Sequence, residues 1–405
     1  MPAARHQSWN SESELADLRF LHCSDIHLGR RPIGSPNSPY SYTRYEDYFD
    51  AFEFVVDWAV AHNIDAFFIT GDLFDKREIN PDTLARTQNI LSRLKESEIR
   101  VLAIEGNHDK SFNVNESWLR FLHETAYLEL LSPVQGDNDI LFPYVEISGF
   151  KVYGLGYPGF LAEEMISKVA SILSGRNNIV LVHTAPGNDS FIPGLVTPEA
   201  LNILRSKVIY AGGGHLHSQL AFPADDPFFF VPGSLEYWDV WENDRKGFYV
   251  FDTEKESADF HDSHRRERQE FSVQVDENER LSDFIENHEI HQGAIVLVTV
   301  SGRGDFNVDQ GSLEREIESC GALKAFVKVR RTDRDITLDD YKSMSARDIE
   351  REVIMSSKEW KEIGAKGEEL VAAIDKMKHF QEEGRYDLFK DSVDSFLERI
   401  IGDVP

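Results

Sequence analysis

"IDAFFITGD", residues 64–72, decides how this chain is read. Its apolar core is continuous, short and rich in β-prone residues. That is the pattern of a strand covered on both faces rather than an amphipathic edge. It stops abruptly at Gly71–Asp72, a small residue followed by an acid. Before it lies "YEDYFDAFEFVVDWAVAHN" (45–63), whose Phe49, Phe52, Val56, Ala59 and Val60 recur at helical spacing. After it lies "DTLARTQNILSRLKES" (82–97), a second helix with Asp82 as its expected cap behind Pro81. The same strand form returns in "LRFLHCSD" (18–25), "IRVLAIEGNHD" (99–109), "NNIVLVHTAPG" (177–187) and "KVIYA" (207–211), the last running into "GGGHLHS" (212–218). Strands alternating with helices predict α/β layers. From about 222 to 252, "FFFVPGS" and "KGFYVFD" predict a β-rich stretch.

The 405 residues carry a net charge of −28 and are 41% hydrophobic. That is enough chain for two or three domains. No apolar run is long enough to span a membrane, and the polar opening lacks the apolar segment of a signal peptide. Cys23 and Cys320 are the two cysteines; neither fits a disulfide framework or a thiolate zinc site. A cytoplasmic, nucleoid-associated protein is the expectation. The acidic balance counts against a simple nucleic-acid binder, which is usually basic.

The strand ends carry the chemistry. In order they deliver Asp25 and His27, Asp72, Asn107 and His108, His183, then His215 and His217. Ligands gather at strand ends in α/β sheets. Asp, Asn and His without Cys suit manganese, iron or zinc. The set is too large for one ion and suits two ions sharing a carboxylate, which clamp the attacking and leaving oxygens of a phosphate ester. Residues i and i+2 of extended chain point the same way, so His215 and His217 are expected to project together, with the glycines keeping bare backbone away from the site. His22, His62 and His123 lack such context and read as ordinary core or surface histidines.

This ordered set resembles the calcineurin-like metallophosphoesterases, with their D-x-H, G-D-x-x-D, G-N-H-D/E, H and G-H-x-H motifs, over residues 20 to about 217. The resemblance implies an α/β fold: a two-sheet sandwich flanked by helices, with metals at one edge. It implies that Asp25, His27, Asp72 and His217 hold one ion and Asp72, Asn107, His183 and His215 the other. His108 then faces the scissile phosphate as the catalytic residue. Asp109 would orient it, and Asp75 would support the site from behind. The ions are expected to be two Mn²⁺ per chain, with Fe²⁺ or another divalent metal as the alternative.

"FLHCSDIHLGRRP", "GDLFD", "YGLGYPG" (153–159) and "VPGSLEYWDVWE" (231–242) are similar to the branch of DNA double-strand-break-repair nucleases of the SbcD type and their archaeal and eukaryotic relatives. That branch implies 3′-to-5′ exonuclease action on duplex ends and endonuclease action on single strands. It also implies an SMC-like coiled-coil ATPase partner and a homodimer. The expected layout is a polar tail (1–18), a nuclease domain (19–264), a small α+β capping domain (265–336) and a helical tail (337–405). Arg265, Arg266, Lys324, Lys328, Arg330 and Arg331 are the candidate DNA contacts. The stripe Leu388, Phe389, Val393, Phe396, Leu397 and Ile400 is the candidate surface for the ATPase. Helices over 83–95 and 115–124, with Trp118, Leu119 and Leu122, serve either a dimer contact or the chain's own core. Residue chemistry alone reaches two-metal phosphoester hydrolysis. A small-molecule phosphodiesterase or phosphatase, and a non-catalytic scaffold, are the alternatives on the same core. "GDLFDKRE" and "GNHD" depart from the protein-phosphatase pattern.

Overall fold

The computed structural model describes residues 16–32, 38–110, 116–136, 139–187, 194–275, 284, 288–302, 308–331 and 373–374. The chain divides into two compact units. Met1–Gln274, Arg280–Val300 and Asn307–Val329 form the first; Val275–Glu279, Ser301–Phe306 and Arg330–Pro405 form the second. The named elements lie in the first unit, apart from the last residues of the three strands of a small sheet.

The first half runs β1 (Arg19–Cys23), α1 (Pro39–Ala61), β2 (Ala66–Thr70), α2 (Pro81–Glu96), β3 (Arg100–Ile104), α3 (Trp118–Glu124) and β4 (Glu129–Leu130). A short hairpin, β5 (Val134–Gln135) and β6 (Ile140–Leu141), leads to β7 (Tyr144–Ile147), β8 (Phe150–Gly154) and α4 (Ala162–Ile172). Then come β9 (Asn178–Leu181), α5 (Pro198–Asn202), β10 (Tyr210–Gly212), β11 (Leu220–Phe222), β12 (Phe229–Val231), β13 (Gly247–Asp252) and β14 (Ser257–Asp262). The small sheet is β15 (Arg268–Val275), β16 (Ile295–Gly302) and β17 (Lys324–Arg331), with α6 (Gln310–Ser319) between the last two.

Two mixed six-stranded sheets result, ordered β14-β13-β1-β2-β3-β4 and β11-β12-β10-β9-β8-β7. β1, β2, β3 and β4 are parallel, as are β8, β9, β10 and β12, while β13, β14, β11 and β7 pair antiparallel with their neighbours. The apolar residues of β1 and β2 are divided by the period of two. Leu21, Cys23, Phe67 and Ile69 pack with Phe49, Phe52 and Val56 of α1. Phe20, Ala66 and Phe68 meet Tyr210, Phe230 and Phe251 between the sheets. A third core, with Ile166 and Val169 of α4 and Leu201 of α5, covers the far side of the second sheet. The layers are therefore helix, sheet, sheet, helix, which is why "IDAFFITGD" has no polar face.

Helix boundaries follow capping. α1 starts before its apolar spacing, at Pro39, because the Ser38 side chain accepts from the Ser41 amide. α2 is capped by Asn80 rather than Asp82: Asn80 Oδ1 takes the Thr83 amide at 2.8 Å, while Asp82 accepts from the Tyr45 hydroxyl at 3.0 Å. Leu119 and Leu122 of α3 are buried in the chain's own core. Trp118 packs against that core and donates its indole N–H to the Arg77 carbonyl at 2.8 Å. β14, which ends at His261 and Asp262, is an edge strand paired with β13. The stripe Leu388, Phe389, Val393, Phe396, Leu397 and Ile400 lies outside the described residues.

Candidate metal centre

The loops that follow β1, β2, β3, β9 and β10 converge at one edge of the two sheets. The first two run side by side: Asp25 N–H donates to the Gly71 carbonyl at 3.1 Å and His27 N–H to that of Asp72 at 3.0 Å. Neither stretch is extended. Asp25, His27 and Asp72 have φ of 50°, 52° and 52°, and His215 has 78°. Non-glycine residues rarely adopt this region, and at a functional site it marks side chains held in place by their surroundings. The extended i, i+2 geometry expected for His215 and His217 is therefore not what presents them. The turn sends them to opposite ends of the cluster.

At one end His217 Nε2 lies 3.2 Å from His27 Nε2 and 3.9 Å from Asp25 Oδ1. At the other, Asn107 Oδ1 lies 3.1 Å from His183 Nε2 and 2.9 Å from His215 Nδ1. Asp72 stands between, its Oδ2 3.4 Å from His183 Nε2 and 3.9 Å from His27 Nε2. Asp25, His27 and His217 offer ligand atoms within 4.8 Å of one another, as do Asp25, Asp72 and His183, and also His27, Asp72 and His108. Every metal-type residue named from the sequence is thus in one cluster, and His108 lies close enough to share it.

The electrostatics fit cations. Asp25 and Asp72 are buried, and their charge partners are imidazoles rather than lysine or arginine. Burial raises the Asp25 carboxyl, against the pull of His183 and His217. Burial also works against charge on Asp72, but His183, then His27 and His108, hold it below the usual carboxylate range. His27 is pushed well below the ordinary imidazole value by burial, and its buried Nδ1 has no hydrogen-bond partner. Two buried carboxylates facing imidazole nitrogens make a donor set that divalent cations satisfy.

The supporting residues are where sequence reading fell short. The Thr70 carbonyl fixes His183 Nδ1 at 2.7 Å. Glu242 lies 3.8 Å from His217 Nδ1 and 2.7 Å from the buried Lys246 amine, which donates to the His217 carbonyl at 2.8 Å. Burial opposes the Glu242 charge, but the hydrogen bonds of His217 and Lys246 bring its carboxyl down to about 2. Trp238 packs its ring on His27 at 4.3 Å and His217 at 4.6 Å, and Arg30 stacks over it at 3.2 Å. "EYWDVWE" held these residues, but no spacing signals that Trp238 and Glu242 turn back onto histidines.

His108 is oriented by Asp75, not by Asp109. Its Nδ1 donates to the Asp75 carbonyl at 2.7 Å, while the Asp75 carboxylate takes Arg30 at 3.3 Å. Asp109 instead accepts the amides of Leu73, Phe74 and Gly106, stapling the β2 loop to the β3 loop. The "GGG" run also serves the protein itself: a Cβ on Gly214 would sit 2.6 Å from the Thr70 carbonyl and 2.8 Å from His183 Nδ1.

The basic candidates are dispersed. Arg266 is committed to Asp47, with Nε at 2.9 Å, and Arg265 donates to the Tyr237 hydroxyl at 3.1 Å. Lys324 pairs with Glu318 at 2.5 Å. Lys328 and Arg330 are exposed on β17; the Arg331 side chain lies outside the description.

Residues 18–219 match the family model described as calcineurin-like phosphoesterase. Through them the chain belongs to that family. Its similarities extend further. Over 325 residues, 77% of this chain and 50% of the relative, it is 27% identical to the DNA double-strand break repair protein Mre11 of Methanosarcina acetivorans. Over 249 residues, 59% of this chain and 61% of the relative, it is 28% identical to the protein of that name from Saccharolobus solfataricus. It is 25% identical over 245 residues to the uncharacterized metallophosphoesterase YhaO of Bacillus subtilis, covering 58% of this chain and 57% of that one. The chain spans about half the length of the curated relatives it matches. Among solved structures, a dimetal phosphatase from Danio rerio aligns with a TM-score of 0.37 at 13% identity, covering 57% of this chain and 91% of that chain. The family is one of phosphoesterases, and the His/Asp cluster gives this chain a candidate dimetal site. Among the described residues no helix is long and apolar enough to cross a membrane.

Proposed function

We propose that this phosphoesterase is a manganese-dependent DNA nuclease of double-strand break repair. It would trim duplex ends from the 3′ side and cut single strands, working with an SMC-like coiled-coil ATPase. The observation that carries the reading is the cluster itself, five loops delivering seven metal-type side chains with His108 beside them; relatives named for break repair supply the substrate.

Asp25, His27, Asp72 and His217 would hold one ion, and Asp72, Asn107, His183 and His215 the other, with Asp72 between. Bound ions would supply charge neutralisation at the scissile phosphate. The chain's own part is positional. The Asp75 carbonyl accepts the hydrogen bond of His108 Nδ1–H, and Nε2 would carry a proton to the departing 3′ oxygen. Trp238 shields one side of the cluster from water. Lys328 and Arg330 are proposed phosphate contacts, with Lys324, Arg331 and Arg265 beside them in sequence or charge; Arg266 would first have to leave Asp47. The stripe from Leu388 to Ile400 is the proposed ATPase dock, and a homodimer the proposed assembly.

The test is cleavage of end-labelled linear duplex with Mn²⁺, with Mg²⁺ and with chelator, using His108→Ser as the control for contaminating nuclease. Laddered loss from 3′ ends, in wild type and with Mn²⁺, supports the reading. Brisk hydrolysis of a small phosphodiester without DNA cleavage would move the function to a small-molecule phosphodiesterase.

A further inference from the structure

Beside the metal cluster lies a cavity of about 630 Å³, within the ~300–1,000 Å³ typical of small-ligand sites. Its walls include Tyr40, Trp238 and Trp241 from the nuclease core and Phe326 from β17. Tyr40 and Phe326 touch edge to face in its wall, with ring centroids 5.9 Å apart. Trp238 is a shared wall: the indole that lines the cavity also packs on His27 and His217.

The charges in the lining are already matched. Arg30 pairs with Asp75, Arg44 with Asp47 and Glu236, and Lys324 with Glu318. With Trp238 already stacked under Arg30, the cavity offers the half-buried rings of Tyr40, Trp241 and Phe326 and little uncompensated positive charge. A phosphate finds no reason to enter, whereas a flat, neutral ring does, because every base has a π-face that stacks on aromatic side chains. A ligand that spans both places has its phosphate at the metal cluster and a planar ring behind Trp238.

We infer that this cavity receives an unpaired nucleobase of the strand being cut, next to the scissile phosphate. The inference rests on the nuclease reading above. It makes Tyr40, Trp241 and Phe326 substrate-positioning residues, and it requires the base to be unstacked from its neighbours before cleavage.

The test is calorimetric titration of the full-length, manganese-loaded protein with 2′-deoxyadenosine and, separately, with 2-deoxyribose. Neither probe carries a phosphate, so the metals do not dominate binding. The expected result is saturable binding of the nucleoside and none of the sugar, with Phe326→Ala weakening it about tenfold, the size that base–aromatic stacking supplies. Should Phe326→Ala fail to fold by circular dichroism, Trp241→Leu takes its place. Cleavage of an oligonucleotide with an abasic nucleotide at the cut site should slow by a similar factor. Absence of nucleoside binding, binding of sugar and nucleoside alike, or binding indifferent to the variant overturns the inference. Nucleoside binding without cleavage of any oligonucleotide instead sinks the nuclease reading and leaves the cavity a nucleoside site.

Discussion

At the scale of residues, this site is set by what holds each histidine. The His108 ring donates to the Asp75 carbonyl and packs edge-on to His27 and Trp238. Replacing His108 with serine should leave both metals bound, by calorimetric titration with Mn²⁺, while phosphodiester hydrolysis falls about 10²- to 10⁴-fold, the usual worth of a placed acid or base. Equal loss of metal binding would make His108 a ligand, as its closeness to His27 and Asp72 allows. Glu242 is the complementary case. It touches His217 from behind, so Glu242→Gln should weaken metal affinity by about 10- to 100-fold with little change in fold. The identities of the clustered residues were legible as acids, amides and histidines closing apolar runs. Their supports were not, because a carbonyl such as that of Thr70 has no sequence signature, and Trp238 and Glu242 reach the site by a turn.

At the scale of elements, strand ends and caps do the positioning. Gly71 closes β2 with φ of +92°, and a Cβ there would lie 2.3 Å from His183 Nδ1 and 2.8 Å from the Gly106 Cα. Gly71→Ala should therefore cost more than about 1 kcal/mol in denaturant unfolding and also lower metal affinity, since the ring it strikes is in the cluster. Asn80→Ala is the contrast. It removes the α2 cap at about 1 kcal/mol and should leave hydrolysis unchanged. The Asn80-Pro81 start of α2 and the Ser38-Pro39 start of α1 are both written in sequence as a capping side chain before proline. The edge strand β14 is not, because its residues are half-buried and charged and it exists through pairing with β13.

At the scale of the whole molecule, the two sheets meet across an aromatic core with one polar thread. His22, fully buried, joins the Tyr210 hydroxyl and the Thr70 hydroxyl, each at 2.7 Å. Burial lowers its imidazole to about 3, so the folded protein keeps it neutral while the unfolded chain protonates it near the ordinary value. His22 thus contributes an acid lability: stability falls as pH drops below about 6.5 and continues falling toward about 3. His22→Gln should flatten the dependence of urea stability on pH by up to one proton over that window, and an unchanged slope would refute this. Phe20, in the same seam, should cost about 3–5 kcal/mol when cut to alanine.

What the sequence by itself determined was local: strands from unbroken apolar runs, helices from spacing and caps, and the chemical type of each residue where a strand stops. These depend on neighbours a few positions away, so they survive without the fold. Tertiary structure alone decided which side chains face one another. Stacking the sheets face to face puts Asp25 against His217 and Asn107 against His183, and left-handed turns at Asp25, His27, Asp72 and His215 aim them. Those turns are strained for such residues and persist because packing from both sheets over-determines them, a force that no short stretch of chain contains.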